Sequence, residues 1–297
     1  NLKDPTEDSE DQTKNGDTNQ NTITVSEFIF NGNTVYSSDL LNSQLKDFLN
    51  KPIGFVQLRA ATIAINDFYR QQGWLAKSYM PQQEIINGRV LIEIVESTLG
   101  NVNILSDETN LVSGDLVNSY ILNQQEQGDL LNLDRIDRAI YLIDSLAGVN
   151  VVSDFTEGGS IGQTDLNVKL TNEKKFFYDI TANNFGSRST GSEQLIFNGT
   201  INSPSNIGDK LNLNAIKSEG MNYGTIQYSA PIGLDGHRGT VQASSMDYQV
   251  ISQDFSSLNL EGNSQTLLLG IDYPLHRSNN SNIDFNARQG SARPSIL

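Results

Sequence analysis

Few side chains in this sequence have the types and spacings that do chemistry. The 297 residues contain no cysteine, which excludes thiol nucleophiles and disulfides. The two histidines, His237 and His276, stand apart, each in a stretch that reads as a turn, and neither has the company a catalytic or metal role needs. Asp134 and Asp137 form a carboxylate pair, but they open a helix, where the macrodipole favours acids. Gly158-Gly159-Ser-Ile-Gly162 lacks the Lys-Ser/Thr of a phosphate loop and links two strands, so it reads as a hairpin turn. No constellation points to an enzyme, a metal or a cofactor.

The positioning elements follow from hydrophobic periods. Residues 1–21 are polar, acidic and free of aromatics, and read as a disordered linker. Ile23, Val25, Phe28 and Phe30 predict a strand over 22–30, and Asn31-Gly32-Asn33 a turn. Ser37 or Ser38 caps a helix with Asp39 in its first turn and Leu41, Leu45 and Phe48 on one face, ended by Lys51-Pro52. A second helix carries Leu58, Ala61, Ile65 and Phe68, with Gly73 as its left-handed cap. Strands over 75–80 and 89–96 follow, the first stopped by Pro81 and the second preceded by the Asn87-Gly88 turn. The order β-α-α-β-β then recurs, with a strand over 99–105, helices over 114–125 and 133–147, and strands over 149–155 and 164–170. A constant shift carries Leu58 to Leu133, Ala61 to Ile136, Ile65 to Ile140, Phe68 to Ile143 and Gly73 to Gly148. Recurrence in register marks an internal repeat.

Residues 176–297 alternate apolar and polar side chains strictly. Leu211, Leu213 and Ala215 show it, as do Leu267, Leu269, Ile271 and Tyr273, and Ile283, Phe285 and Ala287. Seven strands are expected, near 176–184, 193–202, 209–217, 222–230, 238–250, 264–273 and 281–288. Residues 289–297 do not continue the pattern. Within 241–250 the apolar face switches from Val241 and Ala243 to Met246, Tyr248 and Val250, which a bulge explains, or a strand that outruns a membrane. Tyr178, Tyr228 and Tyr273 lie near strand ends, where a membrane barrel places its aromatic girdles. The chain is only 37% hydrophobic and has no apolar run long enough for a membrane helix, so strands alone can take it through a bilayer. A net charge of −15 with no basic segment argues against a nucleic-acid partner. A soluble β-sandwich on a periplasmic binding or scaffold module is the alternative to a barrel.

The repeats resemble POTRA domains, the periplasmic modules of outer-membrane assembly and secretion barrels. The resemblance rests on Phe28-Ile-Phe-Asn-Gly-Asn-Thr-Val-Tyr36, Lys51-Pro52-Ile53, Phe68-Tyr-Arg-Gln-Gln-Gly-Trp-Leu-Ala76, Pro81 and Gly88-Arg89-Val90. The strand-rich part resembles TpsB translocators of two-partner secretion, the haemolysin-activator type. It does so through Asn183-Asn-Phe-Gly-Ser-Arg-Ser-Thr-Gly191, Ser203-Pro-Ser-Asn-Ile-Gly-Asp209, Tyr228-Ser-Ala-Pro-Ile-Gly233 and Tyr273-Pro-Leu275. The family's Arg-Gly-aromatic loop tip is missing, since Arg238-Gly239 begins a strand and is followed by Thr240. Family barrels have more strands than the seven found, so the chain is expected to be C-terminally truncated.

The resemblance implies an α+β then all-β chain, with two tandem POTRA domains followed by the first strands of an antiparallel transmembrane β-barrel. The expected divisions are 1–21 linker, 22–97 first POTRA domain, 98–173 second POTRA domain and 174–297 the N-terminal part of the barrel. It implies an outer-membrane translocator with its POTRA domains in the periplasm, which captures an unfolded exoprotein and secretes it without a cofactor. The partners would be outer-membrane lipid and a secreted adhesin, haemolysin or contact-dependent toxin. The family's topology leaves 75–80 on a sheet edge, able to take up an extended chain by main-chain pairing. The implied binding residues are Leu75, Ala76, Lys77, Ser78, Tyr79 and Met80, with Thr62 and Tyr69 of the neighbouring helix lining a groove beside them.

Overall fold

A computed structural model describes residues 22–105, 111–252, 258–277 and 282–296. The expected linker over 1–21 and the His276 side chain lie outside the described residues. The first repeat begins with β1 (Ile23–Thr24), then β2 (Glu27–Asn31), in which Phe28 and Phe30 are buried and their neighbours are not. The single strand expected over 22–30 is thus two. Between them Val25 is buried and the Ser26 N–H donates to the Gly88 carbonyl, so the chain leaves one ladder before joining the next. Helix α1 (Ser38–Gln44) is capped by the Ser37 hydroxyl, which accepts from the Leu40 N–H, and its end is drawn into a tighter turn at Lys46–Phe48. β3 (Pro52–Ile53) pairs with β1.

Helix α2 (Phe55–Gln71) starts where Gln57 Oε1 accepts the Gly54 N–H at 3.0 Å. It buries Leu58, Ala61, Ile65 and Tyr69 against the sheet and ends before Gly73, at φ +78°. β4 (Ala76–Tyr79) and β5 (Arg89–Glu96) complete a sheet of order β2-β5-β4, in which β5 is central. Asn87 and Gly88 both take left-handed φ, as the sequence predicts, but their turn closes only the Ile86–Arg89 bridge. The chain between β4 and that turn is irregular.

The second repeat follows the same order with β6 (Thr98–Leu105), α3 (Gly114–Gln124), α4 (Leu133–Asp144), β7 (Val149–Glu157) and β8 (Gln163–Asn172), in a sheet of order β6-β8-β7. Helix α4 buries Ile136, Ala139, Leu142 and Ile143, while Leu133 and Ile140 of the expected stripe are half-buried. The buried arc is wider than one stripe because α4 is covered on more than its sheet-facing side.

Seven antiparallel strands follow: β9 (Phe176–Asn183), β10 (Gln194–Asn202), β11 (Lys210–Ser218), β12 (Met221–Ile232), β13 (His237–Gln249), β14 (Glu261–Arg277) and β15 (Asn282–Ile296), each bonded to the next. The expected strand set is present. Residues 289–297 were expected to fall outside it, yet β15 runs on to Ile296, which lies opposite Gly262. No bulge interrupts β13, whose pairing with β12 and β14 is continuous. Val241, Ala243, Ser245 and Asp247 therefore share a face that turns from apolar to polar along the strand, as a strand outrunning an apolar layer does. His237 opens β13 rather than sitting in a turn, and its ring stacks on Tyr273 at 4.2 Å.

Register aligns the alternation into two faces. On one, Tyr178, Gly199, Leu213, Ile226, Ala243 and Leu267 form a row, and Ile201, Leu211, Tyr228, Val241 and Leu269 form the next. On the other, Asp179, Asn198, Asn214, Thr225, Ser244 and Thr266 lie in line. Leu269 is 54% exposed, and Leu267 and Ile271 are similar, so the apolar face is uncovered. A β-sandwich would bury that face. The described residues divide into two compact units, one within Asn1–Asn103, Gln125–Asp137 and Ser153–Asn167, the other within Ile104–Gln124, Arg138–Val152 and Val168–Leu297.

Candidate functional site

The edge of the first repeat's sheet is β4. Among the described residues its one strand partner is β5, with Ala76 opposite Glu96, Lys77 opposite Val95, Ser78 opposite Ile94 and Tyr79 opposite Glu93. Strand alternation turns Lys77 and Tyr79 outward and Ser78 inward, where it is 6% exposed. The Ser78 hydroxyl donates to the Thr62 carbonyl at 2.8 Å and fastens β4 to α2. The Ser78 N–H, which points away from β5, donates to Asn66 Oδ1 at 2.7 Å. Met80 is half-buried and packs on the core.

Three of the expected binding residues do not reach this edge. Leu75 is engaged inside the protein: its N–H donates to the Leu131 carbonyl at 3.3 Å and its carbonyl accepts from the Ser97 N–H at 2.9 Å. The neighbouring Gly73 carbonyl accepts from the Leu133 N–H, so 73–75 already has a partner strand in 131–133. A Cβ on Gly73 would meet the Asp134 carboxylate at 2.6 Å, so this close approach needs glycine. Tyr69 is fully buried and its hydroxyl donates to Glu96. Thr62 is buried and its hydroxyl donates to the Arg59 carbonyl. Both belong to the packing under the edge, because helix α2 buries Thr62 and Tyr69 together with Leu58, Ala61 and Ile65, a wider arc than its most apolar members mark. Ala76, Lys77, Ser78, Tyr79 and Met80 remain.

Glu96 sets the end of β5 that carries the edge. Its carboxylate accepts from the main chain of Thr34 and Val35, both at 2.9 Å, from the Thr34 hydroxyl and from Tyr69 at 2.8 Å. Burial alone would raise its pKa, but the hydrogen bonds outweigh that and hold it below the ordinary glutamate value. Burial, then the bond to Glu96, push the Tyr69 phenol up. Tyr36 packs edge-on against Phe68 at 5.0 Å and Tyr69 at 5.1 Å, closing the cluster.

Two residues the sequence did not single out shape this edge, Asn66 and Gln83. Gln83 bonds both ways to Leu91 of β5, its Nε2 to the carbonyl at 2.8 Å and its Oε1 from the N–H at 2.7 Å. It stands in for a strand where β4 has ended. The available signal was weak: Asn66 falls one turn after Thr62 on α2, where a solvated amide is unremarkable.

Turns of the seven-stranded sheet are seated on the second repeat's helices. The Gly233 carbonyl accepts from the Tyr120 hydroxyl, and Asp235 Oδ1 accepts from Asn123 Nδ2 at 3.0 Å. The Ala147 N–H donates to the Gly208 carbonyl, and the Ser203 hydroxyl to the Leu111 carbonyl at 2.8 Å. A Cβ on Gly208 would meet Leu146 at 2.6 Å, and one on Gly236 would meet Leu142 at 2.5 Å, so both turns lie directly on α4 or the chain just after it. Tyr178, Tyr228, Tyr273 and Phe285 fall on the apolar face toward this same end of the sheet. Among the described residues no group of metal-ligating side chains gathers, and no helix is long and apolar enough to cross a membrane.

Comparison with known proteins agrees with this arrangement. Residues 23–97 match the ShlB-type POTRA domain and residues 162–293 the haemolysin secretion/activation protein family ShlB/FhaC/HecB. The heme/hemopexin transporter protein HuxB of Haemophilus influenzae is 25% identical over 87% of this chain and 46% of its own length. The outer membrane transporter CdiB of Dickeya dadantii is 22% identical over 60% of this chain and 31% of its own. The chain thus spans less than half the length of these relatives. The structure of CdiB from Escherichia coli superposes with a TM-score of 0.73 at 19% identity, covering 97% of this chain and 54% of that one, which shows a shared fold. Residues 162–293 are therefore similar to the ShlB/FhaC/HecB family of haemolysin secretion/activation proteins, and residues 23–97 to the ShlB-type POTRA domain.

Proposed function

We propose that this chain is part of an outer-membrane translocator of a two-partner secretion system. Its POTRA domains, in the periplasm, take up an unfolded exoprotein and its strands form the wall through which that exoprotein leaves. The observation that carries the reading is the seven-stranded sheet with one uncovered apolar face and one polar face, fused behind a module that offers a sheet edge. The apolar face meets lipid and the polar face meets the passing chain. The cargo is an extended polypeptide that lies along Ala76, Lys77, Ser78, Tyr79 and Met80 and pairs with those of their main-chain groups that face away from β5. It would be an adhesin, a haemolysin or a contact-dependent toxin, in keeping with relatives named as haemolysin and heme/hemopexin transporters.

Site-directed photocrosslinking in secreting Gram-negative cells tests this. A crosslinker at Tyr79 or at Asn214, on the polar face, should yield adducts with the secreted polypeptide. One at Leu213, on the apolar face, should yield lipid adducts. Polypeptide adducts at Leu213 with none at Asn214 would overturn the assignment of the wall.

A further inference from the structure

The edge that the proposed function uses is not open. Two side-chain amides close it in different ways. Gln83 satisfies both main-chain groups of Leu91, donating and accepting, as a paired strand would. Asn66 makes a single bond there, with its Oδ1 on the Ser78 N–H at 2.7 Å. That N–H faces away from β5, on the side where an added strand would pair. Ser78 itself is held in place by its hydroxyl on the Thr62 carbonyl, so the amide cannot turn away to escape Asn66. On the N-terminal side, 131–133 has taken 73–75, and an added strand is confined to the short stretch after it.

We propose that Asn66 is the latch of this edge. Its carboxamide occupies the Ser78 amide, and an extended polypeptide pairs with β4 only by replacing Asn66 Oδ1 with one of its own carbonyl oxygens. The inference rests on capture at β4, as proposed above, and adds the residue that sets its strength. One hydrogen bond is exchanged for another, so capture is shallow and reversible, as a carrier that must hand its cargo on requires. The exchange also explains how a bare edge avoids pairing with other copies. A free strand finds the donor already satisfied and gains little by displacing the latch unless neighbouring pairs form as well.

The test compares the whole chain in detergent with its Asn66→Ala and Asn66→Asp variants. Alanine removes the acceptor and suits a helix. Aspartate keeps the acceptor and strengthens it by charge. The probe is a short synthetic peptide alternating Val and Thr, N-methylated on alternate residues so that only one of its edges can pair. The fully N-methylated peptide is the control. Hydrogen exchange of the Ser78 amide, measured without peptide, should be faster in Asn66→Ala and slower in Asn66→Asp. Probe affinity should rise about two- to ten-fold in Asn66→Ala, the range of one neutral hydrogen bond, and fall in Asn66→Asp. Unchanged Ser78 exchange in Asn66→Ala would overturn the latch. Faster exchange with unchanged probe affinity would also overturn it, while leaving edge capture standing. Equal binding of the half-methylated and fully methylated peptides by every variant would overturn edge capture, and the latch with it.

Discussion

Glu96 accepts four hydrogen bonds, two of them from the main-chain N–H groups of Thr34 and Val35. They depress its folded pKa below the unfolded value, so the unfolded chain binds more protons in mild acid. The stabilisation is complete above the ordinary glutamate range and is lost as pH falls through the depressed folded value. Glu96→Gln should therefore cost about 1–2 kcal/mol at neutral pH, the lower range for charged hydrogen bonds because the group is only half-buried. It should also flatten the loss of stability below about pH 5. Trp74, the single tryptophan, packs against this core, so its fluorescence in urea titrations reports the loss of that packing. An acid dependence as steep in Glu96→Gln as in the parent would show that another carboxylate governs it.

At the scale of elements, the prediction concerns neighbouring residues of β11. Leu213 lies in the middle of the apolar face, opposite Gly199 and Ile226. Asn212 lies on the other face and accepts from the Thr200 hydroxyl at 3.0 Å. Leu213→Arg should cost about 2–4 kcal/mol in a bilayer, and Asn212→Arg much less. Urea unfolding from lipid vesicles measures both, and equal losses would contradict the two-faced wall. These faces were legible in the sequence because alternation survives any error in strand ends. The recurrence of Gly73 and Gly148 behind two helices was legible for a similar reason, since left-handed turns tolerate few residues. Leu75 was misplaced because its partner, Leu131, is remote in sequence, and no local pattern announces a long-range pairing. Tyr69 was misread because a phenol on a helix suits a wet rim as well as a core. Only Glu96, distant in sequence, decides for the core.

At the scale of the molecule, the second repeat is divided between the two compact units. Its helix α4 lies against Gly236, and Leu146 just beyond it against Gly208. A fragment of residues 22–173 lacks both turns. In that fragment α2 should keep its slow amide exchange, while residues 138–147 exchange about ten-fold faster or more than in the whole chain, because Leu142 and Leu146 lose apolar cover. Equal protection in both would show that the second repeat is complete without the sheet. The polar face of that sheet has a consequence of another kind. Asn214 Nδ2 donates to Asn198 Oδ1 at 2.6 Å, Asn198 Nδ2 to Asp179 Oδ2 at 3.1 Å, and the Thr225 hydroxyl to the Ala243 carbonyl at 3.1 Å. These groups are wet enough to tolerate an unfolded chain and already spend their strongest bonds on one another. Under the proposed function, a polypeptide drawn across them would meet a surface of low friction, because each contact it makes competes with a bond the sheet already has.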